Sequence, residues 1–167
     1  MTPVTVDLRW HPVHLGGDAA LASHIGAVLG DGALSTGRLC PSCGSPDHGR
    51  PWARHERREL HVSLSRAGPH LLTAVSLGSA GVSAVGVDVE SVTGVESRWA
   101  ADLVLAHGEV ADQSLARARV WAAKEAILKA YGVGLARPMT EVNLAAFDGE
   151  LVDVPAPDGF VAALASF

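Results

Sequence analysis

With 167 residues, 48% of them hydrophobic, the chain can bury a real core as one domain or as two small halves. Its net charge of -5, with 13 basic residues and no basic run, excludes the electrostatic footprint of a nucleic-acid binder. Met1–Asp7 has no basic stretch leading into an apolar run, and no segment reaches the roughly 20 apolar residues of a membrane helix, so a cytoplasmic protein is expected.

Taken in chain order, Val4–Trp10 alternates like a strand, and Asp18–Leu29 has helical composition that stops near Gly30. Residues 35–58 are rich in Gly, Pro, Ser and charge and read as a long surface loop covering part of a site. Within it lies Cys40-Pro41-Ser42-Cys43 followed by His48. Thiolates beside an imidazole suit zinc, but no second pair completes four ligands, and two reduced thiols in a loop are the simpler expectation. Glu59–Ser65 and Leu71–Leu77 form a hairpin around Gly68-Pro69, with a further strand at Val82–Glu90.

Helices are expected at Ser97–Gly108 and Asp112–Tyr131, the latter capped by Asp112 and stopped by a left-handed Gly132. On the second helix Val120, Ala123, Ile127 and Tyr131 make an apolar stripe for a sheet, while Trp121, Glu125 and Lys129 share another face. Val142–Phe147, Leu151–Val154 and Phe160–Leu164 read as an antiparallel meander. The whole is an α+β arrangement.

Two segments carry chemistry. Gly86-Val87-Asp88-Val89-Glu90 projects Asp88 and Glu90 from one face of a strand, and Trp121-Ala122-Ala123-Lys124-Glu125-Ala126-Ile127-Leu128-Lys129 adds a third carboxylate and two ammonium groups. Asp88, Glu90 and Glu125 are hard oxygen donors suited to Mg2+, and Lys129, with Lys124 nearby, would stabilise charge on a leaving phosphate. Taken singly, each of these charges is more readily an ordinary solvated residue.

Together, and with Tyr131-Gly132-Val133-Gly134-Leu135 and Pro138 following, the two blocks resemble the 4'-phosphopantetheinyl transferases that activate nonribosomal peptide and polyketide synthases. Upstream, His48-Gly49-Arg50-Pro51 is similar to that family's glycine-basic-proline turn, and Leu60-His61-Val62-Ser63-Leu64-Ser65 to its serine-histidine stretch, with Leu64 where the family has a histidine. The resemblance implies a pseudo-dimer of two similar α+β halves, each a small antiparallel sheet packed with helices. The halves would be 1–83 and 84–167, with the boundary near Gly81–Ala84 and the metal site in the second.

It further implies that the 4'-phosphopantetheine arm of coenzyme A passes to a serine of an acyl or peptidyl carrier protein, with release of adenosine 3',5'-bisphosphate. Asp88, Glu90 and Glu125 would bind Mg2+. Glu125, or a water it orients, would take the serine proton, Lys129 would contact the pyrophosphate with Lys124 beside it, and Arg50 and Ser63 would meet the nucleotide phosphates. Leu64 and the short halves leave open a noncatalytic or repurposed member that binds coenzyme A or a protein partner, and the same cation and lysines could serve a phosphohydrolase. Arg54, Arg57, Arg58, Arg117 and Arg119 are candidate contacts for an acidic carrier protein. With two halves in one chain, a monomer suffices.

Overall fold

Antiparallel hairpins joined to earlier strands organise the chain, which a computed structural model describes over residues 6–77 and 82–167. In chain order the elements are β1 (Val6–Pro12), α1 (Gly17–Leu29), β2 (Leu34–Leu39), β3 (Arg50–His55), β4 (Arg58–Leu60), β5 (Val62–Ala67), β6 (His70–Ser76), β7 (Val85–Ser91), α2 (Val92–Arg98), α3 (Ala101–Val104), α4 (Ser114–Tyr131), β8 (Glu150–Val154) and β9 (Phe160–Ser166). The class is α+β. Positions 4 and 5 of the expected first strand, and Gly81 of the expected half-boundary, lie outside the described residues.

The two sheets that matter to the site share one plan. In β1-β6-β5 and in β7-β9-β8 the second strand of a hairpin is central, flanked by its hairpin partner and by an earlier strand, and every pairing is antiparallel. Helices fill the connection between the earlier strand and the hairpin in both cases: α1 in the first, α2 to α4 in the second. The β5–β6 turn falls at Gly68-Pro69, where Gly68 adopts φ 53°, a conformation that suits glycine.

α4 is pressed against β7 and β9. A Cβ at Gly86 would overlap the carbonyl oxygen of Ala126, so only glycine lets the helix backbone sit this close to the strand. Ala118, Ala122, Ala126, Ile127 and Leu128 are buried there with Val95, Met139 and Ala163. This burial is wider than the expected stripe: Ala123 and Ile127 follow it, but Tyr131 is 44% exposed and meets the rings of Phe147 and Phe167 instead. Gly132 ends the helix in the left-handed conformation (φ 74°), with its own N–H on Lys129 O and that of Val133 on Leu128 O. Asp112 is not the cap. Gln113 occupies that position without a side-chain hydrogen bond.

Three further expectations change. Residues 35–58 hold most of a third sheet, β2-β3-β4, whose pairings run from Leu34↔His55 to Ala53↔Leu60. These strands carry polar and charged residues on both faces, so backbone pairing forms them without any apolar alternation to betray it. The helix expected at Ser97–Gly108 is broken: α2 starts on a Ser91 hydroxyl that accepts the Gly94 N–H, and it ends at Arg98 because Trp99 and Ala100 are extended. Val142–Phe147 holds one 3-10 turn, Leu144–Ala146, rather than a strand, with the Asn143 side chain accepting the Ala145 N–H. Among the described residues no helix is long and apolar enough to cross a membrane.

Candidate active site

β5 lies beside β7, and the two sheets are joined there by side chains. Ser63 Oγ accepts the Val87 N–H at 3.0 Å, and Ser65 Oγ donates to Asp88 Oδ1 at 2.7 Å. Strand alternation explains the pair, since Ser63 and Ser65 sit two apart on one face and so do Asp88 and Glu90.

Asp88 is the most constrained of the acids, at 3% exposure. Its Oδ1 also receives the Lys129 ammonium at 2.6 Å, which donates in addition to Val87 O at 3.2 Å. Its Oδ2 is buried with no hydrogen-bond partner among the described residues. A buried, unpartnered carboxylate oxygen is costly unless something positive meets it.

Glu90 is held by Arg98 at 2.5 Å, and the Arg98 guanidinium lies 4.7 Å from the Trp121 ring centre. Burial raises the Glu90 carboxyl above its ordinary range, and the Asp88 charge pushes the same way against Arg98 and Lys129. On α4, Glu125 sits one turn before Lys129. Burial first, and then the Asp88 charge, push it up to about 7, with Lys129 opposing and Glu90 adding. The acids thus act on one another across the β7–α4 contact. They are not drawn as close as a single ion would draw them: among the described residues only Cys40, Cys43 and His48 bring three ligand atoms within 4.8 Å of one another. Lys129 holds Asp88 and Arg98 holds Glu90.

The donor set fits a hard divalent cation. All three candidates are carboxylates, Asp88 Oδ2 lacks a partner among the described residues, and burial with the Asp88 charge pushes Glu125 up to about 7. A cation at this place would answer both strains.

Lys124 does not join this group. It is fully buried, and its ammonium goes to Glu109 (2.5 Å), Val104 O (2.7 Å) and Met139 O (3.1 Å). One residue's step along a helix is 100°, so Lys124 faces the core between α3 and the turn at Met139 while Glu125 faces the strand. Glu109 is held below its ordinary range. Burial works against this, but the Leu144 N–H, Lys124 and the Ala106 N–H outweigh it. The pair is a tie rod between loops.

Beside the acids opens a cavity of about 530 Å³ whose wall includes Arg38, Arg50, Ser63, Arg66 and Lys129. Arg38 is paired with Asp18 at 3.3 Å, whereas Arg50 and Arg66 form no ion pair among the described residues. The Arg50 guanidinium lies against Gly132. Such a wall is built for several negative charges on one ligand. Leu64 lines it too, half-buried, with no donor to offer.

Ser65, Arg66 and Arg98 were not singled out from sequence. Ser65 stands on the same strand face as Ser63, and that alternation was the available signal. His61 is exposed. Of the docking candidates, Arg54 pairs with Glu59, Arg117 with Glu96, and Arg119 approaches Asp153.

The first half contains a polar chain that no local pattern announced. His11 Nε2 meets Thr73 Oγ1 at 2.9 Å, Thr73 Oγ1 meets His24 Nδ1 at 2.7 Å, and His24 Nε2 meets Asp7 Oδ1 at 2.7 Å. With neutral imidazoles His11 donates to the hydroxyl and His24 to Asp7, while the one hydroxyl proton faces His24 Nδ1 at 2.7 Å and Arg9 O at 3.3 Å. Burial lowers both imidazoles.

Residues 84–154, which hold the three acids and both α4 lysines, match the model of the 4'-phosphopantetheinyl transferase superfamily. No curated protein matches the chain.

Proposed function

We propose that this chain, whose residues 84–154 are a 4'-phosphopantetheinyl transferase superfamily domain, moves the 4'-phosphopantetheine arm of coenzyme A onto a serine of an acyl or peptidyl carrier protein. The observation that carries the reading is Asp88: buried, with Oδ1 gripped by Ser65 and Lys129 and Oδ2 left for a cation, at the edge of a cavity walled by arginines. The first half, 1–83, would supply the arginines and serine of the wall, and the second, 84–167, the acids and Lys129. The shared strand order of their sheets supports reading them as a pseudo-dimer.

Asp88, Glu90 and Glu125 would hold Mg2+, which when bound offsets pyrophosphate charge. Arg50, Arg66 and Lys129 bind and orient the phosphates of coenzyme A, with Ser63 at the wall between them. Glu125, poised near neutrality, takes the proton of the carrier serine, directly or through a water. The serine oxygen bonds to the phosphorus that bears the pantetheine arm. The bond from that phosphorus to the bridging oxygen breaks, and adenosine 3',5'-bisphosphate leaves with its new negative charge facing Lys129. A monomer working in the cytoplasm suffices for this.

Intact-mass analysis tests it. A carrier domain incubated with the protein, coenzyme A and Mg2+ gains one phosphopantetheine, and Glu125→Gln slows the gain by roughly 100-fold. Failure of every member of a panel of acyl and peptidyl carriers to gain mass would overturn the reading.

A further inference from the structure

The connection between β2 and β3 closes on itself. Leu39 and Arg50 are paired across the ladder, so residues 40–49 leave and re-enter the sheet at one place. Cys40 is the first residue out, and His48 is two residues short of the return. Gly49 makes this possible: at φ 101° it passes so close to the Cys40 backbone that a Cβ there would overlap Leu39 O. Between them, the Cys40 N–H donates to Ser45 O at 3.0 Å, and Gly44, at φ 72°, donates its N–H to Cys40 O at 2.8 Å. The backbone therefore folds around Cys40.

That turn brings three ligand atoms together. Cys40 Sγ, Cys43 Sγ and a His48 ring nitrogen all lie within 4.8 Å of one another, and Cys43 Sγ is 3.4 Å from His48 Nε2. The carboxylates of the active site, on opposed elements, achieve no such convergence. Two thiolates and an imidazole are a soft-to-borderline set suited to tetrahedral zinc and poorly suited to magnesium.

We propose that Cys40, Cys43 and His48 hold one zinc ion, with water at the fourth tetrahedral position, and that the ion fixes the β2–β3 loop. The consequence reaches the cavity, because Pro41 and Ser42, which lie between the two thiols, line the same wall as Arg50 and Lys129. The zinc site is a structural clamp on one side of that wall and takes no part in chemistry at Asp88.

The test uses the metal alone. Protein stripped with chelator and kept reduced is titrated with Zn2+, and separately with Co2+ as a spectroscopic stand-in. One zinc per chain is expected. The cobalt form should show a thiolate-to-metal charge-transfer band and the intense visible bands of tetrahedral coordination. Cys43→Ser and His48→Ala each lose stoichiometric binding, while circular dichroism stays native because both side chains are exposed. Substoichiometric zinc in the reduced protein, a weak octahedral cobalt spectrum, or binding unchanged in Cys40→Ser/Cys43→Ser would each overturn the proposal. None of these readouts involves coenzyme A or a carrier, so the zinc site and the transferase reading fail separately.

Discussion

The sheets β1-β6-β5 and β7-β9-β8 have one strand plan and opposite electrostatic contents. The first, with α1, buries two imidazoles and the hydroxyl between them, His11, Thr73 and His24, and the chain ends on the partly exposed Asp7 carboxyl. The second, with α4, buries charge: Asp88 against Lys129, and Lys124 against Glu109. Two sheets of one strand order thus differ in what they leave unmet: Asp88 Oδ2, with no partner among the described residues, and Glu125, raised to about 7 by burial, both belong to the β7-β9-β8 sheet and its helix α4.

The largest expected break in this contrast comes from Lys124→Ala. Removing the ammonium strands Glu109 in the interior, and unfolding in urea should show a loss of about 3–5 kcal/mol. A loss below about 1 kcal/mol would mean that the pair is solvated and that the second sheet with α4 buries less charge than described. Next comes Asp88→Asn, which keeps the shape and removes the charge. Phosphopantetheine transfer to a carrier, followed by mass, should fall roughly 100- to 1,000-fold with the melting temperature held or raised. Thr73→Val is the matched probe in the first sheet. It strips the hydroxyl from between two buried imidazoles and should cost about 1–3 kcal/mol of stability with transfer unchanged. If Thr73→Val slowed transfer as Asp88→Asn does, the proposed division of roles between the two sheets would be gone.

The smallest effects are in pH. His11 and His24 are depressed by burial, so their contribution is complete above the ordinary histidine value of about 6.5 and is lost as pH falls below it. Glu125 runs the other way. Raised to about 7, it favours the fold fully below 4.5, and that contribution is lost as pH rises through about 7. Thermal melts should therefore show the gain from Glu125→Gln growing between pH 4.5 and about 7 and then levelling. A gain independent of pH would place the carboxyl in solvent.

Local chemistry was legible in the sequence, and remote pairing was not. The β5–β6 hairpin and the end of α4 follow from Gly68-Pro69 and Gly132, residues whose backbone needs are met within a few positions. Asp88, Glu125 and Lys129 were found by two-residue strand spacing and four-residue helix spacing, which fix a shared face before any tertiary contact forms. Lys124 escaped that logic because its partner Glu109 comes from a loop fifteen residues earlier, and the same Glu109 takes the Leu144 N–H that a strand there would have used. The β2-β3-β4 sheet was hidden because its strands bury few side chains, and the Asp7–His24–Thr73–His11 chain because its members are scattered over the first half.

Gly132 terminates α4 and also lies under the Arg50 guanidinium. A larger residue there would meet the arginine as well as the strained backbone, so efforts to raise thermal tolerance by filling this position would be read first as weaker anion affinity. The end of the helix and the seat of the Arg50 guanidinium share one atom's worth of space, so a change made for the one is felt by the other.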